Sequence, residues 1–93
     1  MKLADDQRLT VPDDVLSRVL DDEAVLLDLA SGTYFGLNEV GTEIWQLIAE
    51  GRTVAEVRAA LLERFEVDEA TVQADLERLV GELSERGLVR LEG

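Results

Sequence analysis

The spacing of apolar residues changes once along this chain, near Asn38, and that change fixes the order of its secondary structure. Before Asn38 apolar residues favour every second position, the period of a strand with one buried face; after it they recur every third or fourth, the period of an amphipathic helix. Glu23 to Leu29 shows the first pattern, with Val25, Leu27 and Leu29 on one face and Leu26 and Asp28 on the other. Thr33-Tyr34-Phe35-Gly36-Leu37 is a second run of β-formers. Ala30-Ser31-Gly32 between them supplies turn chemistry, with Gly32 free to take positive φ, so the two runs read as a hairpin. Val15 to Leu20 and Arg8 to Val11 also read as short strands, the latter closed by Pro12, the one proline.

Three helices follow. Asn38 is a good N-cap for a segment carrying Val40, Ile44, Leu47 and Ile48 at helical spacing with Trp45 beside them, and Gly51 stops it. Thr53-Val54-Ala55-Glu56 has the form of a capping box, opening a helix with Val54, Val57, Leu61 and Phe65 on one face. Asp68 caps a longer helix whose stripe is Val72, Leu76, Leu79, Val80 and Leu83; Gly87 ends it, and Leu88 to Leu91 extends beyond. Strands first and helices after them give an α+β class. The expected architecture is winged helix-turn-helix-like, a small three-stranded antiparallel sheet followed by three helices, in a single domain over residues 1–93. In a simple meander Thr33–Leu37 lies at an edge. It holds no Lys, no Pro and no charge to blunt that edge, which makes it a liability or a docking site.

Chemistry finds little to work with. The chain has neither cysteine nor histidine, so disulfides, thiolate and imidazole metal ligands and the usual general base are excluded. Ser17, Ser31 and Ser84 lack an activating partner or nucleophile-elbow context. The acidic runs Asp5-Asp6, Asp13-Asp14 and Asp21-Asp22-Glu23 lack the alternating spacing of a calcium loop and read as solvated surface. The glycines at 32, 36 and 41 do not space a phosphate loop. No catalytic residue, metal or cofactor is therefore expected.

With 21 acidic and 9 basic residues the net charge is −12, the wrong field for nucleic acid, and the arginines are dispersed among acids rather than clustered. No run approaches the length of a membrane span, and the polar start lacks a signal peptide's apolar run, so a cytoplasmic setting is expected.

What remains is binding. Tyr34 and Phe35 are neighbours on a strand and so take opposite faces; one belongs to the core, and the other is free to wall a groove between the edge strand and the third helix. A peptide adding to that edge gains main-chain hydrogen bonds, with pockets reading alternate side chains. Val72, Leu76, Leu79 and Leu83 are the candidates for those pockets, and Asp75, flanking the stripe, is a candidate acceptor.

The residues that carry a family resemblance are Val25 to Leu29, Gly32-Thr33-Tyr34-Phe35-Gly36-Leu37-Asn38-Glu39-Val40-Gly41 and Ile44-Trp45. Gly51 to Val57 and Leu83 to Leu88 continue the pattern, so it covers roughly Leu9 to Leu91. Together they resemble PqqD-like proteins, and the Tyr34-to-Trp45 block is the most specific part. The resemblance implies a non-catalytic recognition element for the leader segment of ribosomally made, modified peptides. In that family the leader docks as an added strand against the third strand, beside the third helix. Carried over, this makes Leu27, Thr33, Tyr34, Phe35, Gly36, Leu37, Val72, Asp75, Leu76, Leu79 and Leu83 the expected peptide-binding residues. A chain of this length implies delivery of the precursor to a separate processing enzyme. A leader-removing cysteine protease of a lasso-peptide pathway is preferred; a radical-SAM enzyme, as in pyrroloquinoline quinone biosynthesis, is the alternative. A dimerising structural subunit, its edge strand paired with its own copy, is the competing reading from a different class.

Overall fold

The computed structural model describes residues 2–92. The elements are β1 (Arg8–Thr10), β2 (Val15–Leu20), β3 (Glu23–Asp28), β4 (Thr33–Gly36), α1 (Glu39–Ala49), α2 (Val54–Arg64), α3 (Glu69–Glu85) and β5 (Arg90–Glu92). The α+β class and the antiparallel three-stranded sheet, in the order β2-β3-β4, are as the periodicity implies. β1 does not join that meander. It pairs with β5 in a separate two-stranded ribbon, Leu9 opposite Leu91. The run beyond Gly87 is thus a strand with a long-range partner.

Local chemistry accounts for the boundaries. Leu20 pairs with Glu23 across a two-residue turn in which Asp21 and Asp22 have φ of 50° and 68°, the left-handed pair that a tight hairpin requires. Gly32, at φ 72°, closes the β3–β4 hairpin and donates to the Asp28 carbonyl at 2.7 Å. Asn38 caps α1 through Gly41 N–H at 2.8 Å, the Thr53–Glu56 capping box opens α2, and Asp68 caps α3 through Thr71 N–H. The N-terminal segment finishes the α2 cap: Asp5 and Gln7 carbonyls accept from Ala55 and Val54 N–H, both at 2.9 Å. Glu77 of α3 holds that segment from below, accepting from Leu3 N–H at 3.0 Å.

The core lies between the inner face of the sheet and the helices. Ala24 and Leu26 face it from β3; Ile44, Trp45 and Ile48 from α1; Val57 and Leu61 from α2; Val72, Leu76, Leu79, Val80 and Leu83 from α3. Each large aliphatic side chain removed from water here contributes about 1.5–3 kcal/mol. Thr42 is the buried polar residue among them, and its hydroxyl accepts from Ala24 N–H at 2.8 Å, tying α1 to β3. No helix among the described residues is long and apolar enough to cross a membrane.

Candidate functional site

β4 is an outer strand: β3 pairs with one side, and no strand among the described residues pairs with the other. Its register fixes which peptide groups stay free. Leu37 N–H donates to the Ala24 carbonyl at 2.8 Å, and β4 runs antiparallel with Leu26 opposite Phe35. Bonded and non-bonded pairs alternate in such a ladder, so Phe35 turns its N–H and C=O toward β3 while Tyr34 and Gly36 turn theirs outward.

Beside this edge lies a groove of about 350 Å³. Phe35, Gly36, Leu37 and Asn38 form one wall, the first turns of α1 contribute Val40, Gly41 and Ile44, and α3 supplies Asp75, Arg78, Leu79 and Glu82 opposite. On the α3 wall one cation stands between two carboxylates, Arg78 lying 3.9 Å from Asp75 and 3.4 Å from Glu82, so the wall stays net acidic. One turn further on, the Arg86 guanidinium sits over the Phe35 ring, 5.0 Å from its centroid. The groove is therefore apolar at its floor and charged along one rim.

Of the expected residues, Phe35, Gly36, Leu37, Asp75 and Leu79 meet at this groove. Leu79 does double service, packed in the core at 7% exposure yet lining the floor. Val72, Leu76 and Leu83 turn wholly into the core, at 3%, 1% and 0% exposure, and do not line it. Of the two strand aromatics, Phe35 takes the helix side. Tyr34 stands on the far face, 70% exposed, directly across from Leu27. Thr33 lies at the solvent-exposed hairpin end, its hydroxyl 2.7 Å from that of Ser31. Leu27, Thr33 and Tyr34 thus adjoin the groove through the strand backbone at most. Asn38, Val40, Gly41, Ile44, Arg78 and Glu82 line it without having been singled out for it. The signal for the α1 residues was present: a helix joined to an edge strand by only two residues must begin beside that edge. Gly41 has a local reason to be glycine, because a Cβ there would meet Asn38 Oδ1 at 3.2 Å and Leu37 Cδ2 at 3.3 Å.

The sheet's far face is apolar and uncovered. Leu16, Leu20, Val25, Leu27 and Tyr34 share it with Arg18. Among the described residues no group of three or more acidic, His or Cys side chains could hold a metal ion. The perturbed carboxylates lie elsewhere. Backbone N–H donors hold Glu56, Asp68 and Glu77 below the ordinary carboxylate range, from Thr53, Thr71 and Leu3 respectively. All three serve the fold, as caps or as the tie to the N-terminal segment.

Comparison with known proteins gives two kinds of match. The family model described as coenzyme PQQ synthesis protein D (PqqD) matches residues 23–89, from the start of β3 to the end of the α3–β5 connection. Among solved structures, the chain is similar to TbiB1 in complex with the TbiA(beta) leader peptide, at 43% identity and a TM-score of 0.82, covering 90% of this chain and 95% of that one. It is also similar to lasso peptide synthetase B1 complexed with the leader peptide, at 30% identity and a TM-score of 0.79, covering 91% and 98%. No curated protein sequence matches at a significant level.

Proposed function

This chain belongs to the PqqD family, and from that premise we propose that it binds, without catalysis, the leader segment of a ribosomally synthesised precursor peptide. The observation that carries the reading is the open edge of β4 running beside the groove, in a chain 43% identical to one solved with a leader peptide. The leader adds as a further strand, exchanging hydrogen bonds with the outward peptide groups of Tyr34 and Gly36. Its inward side chains rest on Phe35, Leu37, Val40, Ile44 and Leu79, and Asp75 lies at the rim. Backbone pairing supplies affinity independent of sequence, and the apolar floor selects which residues may point inward.

The domain then presents the precursor to a separate processing enzyme. The likeness to a lasso peptide synthetase B1 favours the lasso-type route, with a leader-removing cysteine protease as the enzyme, over a radical-SAM route. An adaptor needs a second contact, and the uncovered far face of the sheet, separate from the groove, supports one. Such a role suits a cytoplasmic setting. Calorimetric titration with the TbiA(beta) leader peptide tests the reading: saturable one-to-one binding supports it. Absence of binding, with the chain sedimenting as a dimer, favours the edge-paired structural subunit instead.

A further inference from the structure

We infer that Arg86 makes the groove selective for an acidic side chain in the bound segment, an inference that rests on the peptide-binding reading above. The chain carries more than twice as many acidic as basic residues, and the arginines within its helices each have a carboxylate within 4.0 Å: Arg58, Arg64 and Arg78 all do. Arg86 does not, among the described residues. Its guanidinium is held instead by the face of Phe35, a residue of the groove wall.

That geometry leaves a functional group exposed. With the ring on one side and no carboxylate partner among the described residues, the guanidinium keeps N–H donors free to donate two parallel hydrogen bonds to a carboxylate. Position along the helix also matters. Asp75, Leu79, Glu82 and Arg86 follow at intervals of four, three and four residues, so they share one face of α3, with Arg86 one turn beyond the residues that line the groove. Within the groove wall the Arg78 charge is already met by Asp75 and Glu82. Arg86 is left as the cation at the Phe35 end.

A strand added to β4 lies about 4.8 Å from it. Its inward residue beside Phe35 then comes within reach of a guanidinium 5.0 Å from the ring centroid. An Asp or Glu there pairs with Arg86. Along the groove itself Asp75 and Glu82 repel an acidic side chain and Arg78 is already paired to both, so one cation at a fixed point sets the register of the peptide as well as favouring it.

The test is a displayed library in which each position of the TbiA(beta) leader peptide is randomised in turn, selected against the full chain and against R86E and R86K. Arg86 is solvent-exposed at the C-cap of α3, and thermal melts confirm that each variant is folded. The expected result is one position enriched in Asp and Glu by about fivefold over Asn and Gln, the upper range for an exposed ion pair. In R86E that same position turns to Lys and Arg, and R86K keeps a weakened acidic preference. Raising the salt from 50 mM to about 500 mM flattens the wild-type preference. Binding with no acidic preference at any position, or a preference that R86E leaves intact, overturns the role of Arg86 and leaves the peptide-binding reading standing. A library that yields no binder overturns both.

Discussion

Leu37 donates its main-chain N–H to the Ala24 carbonyl at 2.8 Å, and this one bond sets which peptide groups of β4 face the groove. By the alternation of an antiparallel ladder, Phe35 is committed to β3 and Gly36 is not. Proline separates the two. Gly36→Pro removes an outward donor and keeps the ladder, so leader binding weakens by roughly three- to tenfold, the net worth of one hydrogen bond, with stability little changed. Phe35→Pro breaks the ladder itself and lowers the unfolding free energy by about 3 kcal/mol. Titration and denaturant melts on the two variants read the difference.

Leu76 and Leu79 are neighbours on α3 with different duties. Leu76→Ala leaves a cavity in the core and costs about 2–5 kcal/mol of stability, while the folded fraction binds leader as before. Leu79→Ala is milder for the fold and removes part of the groove floor, weakening binding by about five- to tenfold.

These two residues mark where the sequence stops being legible. The third helix and its stripe follow from the spacing of Val72, Leu76, Leu79, Val80 and Leu83 and from the Asp68 cap. Which of the five reaches the groove does not, because that depends on how far α1 and the sheet cover the stripe. Packing takes Val72, Leu76, Val80 and Leu83 inward and leaves Leu79 at the seam. The edge strand was readable from its lack of Lys, Pro and charge, and the α1 start from Asn38. The pairing of β1 with β5 was not, since Arg8 and Glu92 lie at opposite ends of the chain and no turn chemistry joins them. The face of each strand aromatic was equally hidden: alternation separates Tyr34 from Phe35 without saying which side carries the helices.

The β2–β3 turn holds two non-glycine residues at positive φ, and Asp22, at φ 68°, is the more easily relieved. Asp22→Gly raises thermal stability by about 0.5 kcal/mol, because glycine takes this region without a Cβ penalty and the turn lies far from the groove. A thermal melt checks it, with unchanged leader affinity as the control.

Acid sensitivity follows from the carboxylates that hold backbone N–H groups. Glu56, Asp68 and Glu77 have folded pKa values below their unfolded ones, so the unfolded chain binds more protons as pH falls into the carboxylate range. Their stabilisation is full above the unfolded values and is lost as pH falls through the lowered folded ones. Urea midpoints measured downward from neutral pH therefore decline on entering that range. Glu77→Gln, which removes the charge that receives Leu3 N–H, makes the decline shallower.

Leader binding at this groove stands or falls with strand addition at β4. Amide hydrogen exchange followed by NMR, with and without the TbiA(beta) leader peptide, tests it at single residues. New protection is expected at the outward amides of Tyr34 and Gly36, together with shifts at Asp75 and Leu79. Protection of neither amide, with shifts confined to Leu16, Leu20 and Val25 on the far face of the sheet, would contradict it.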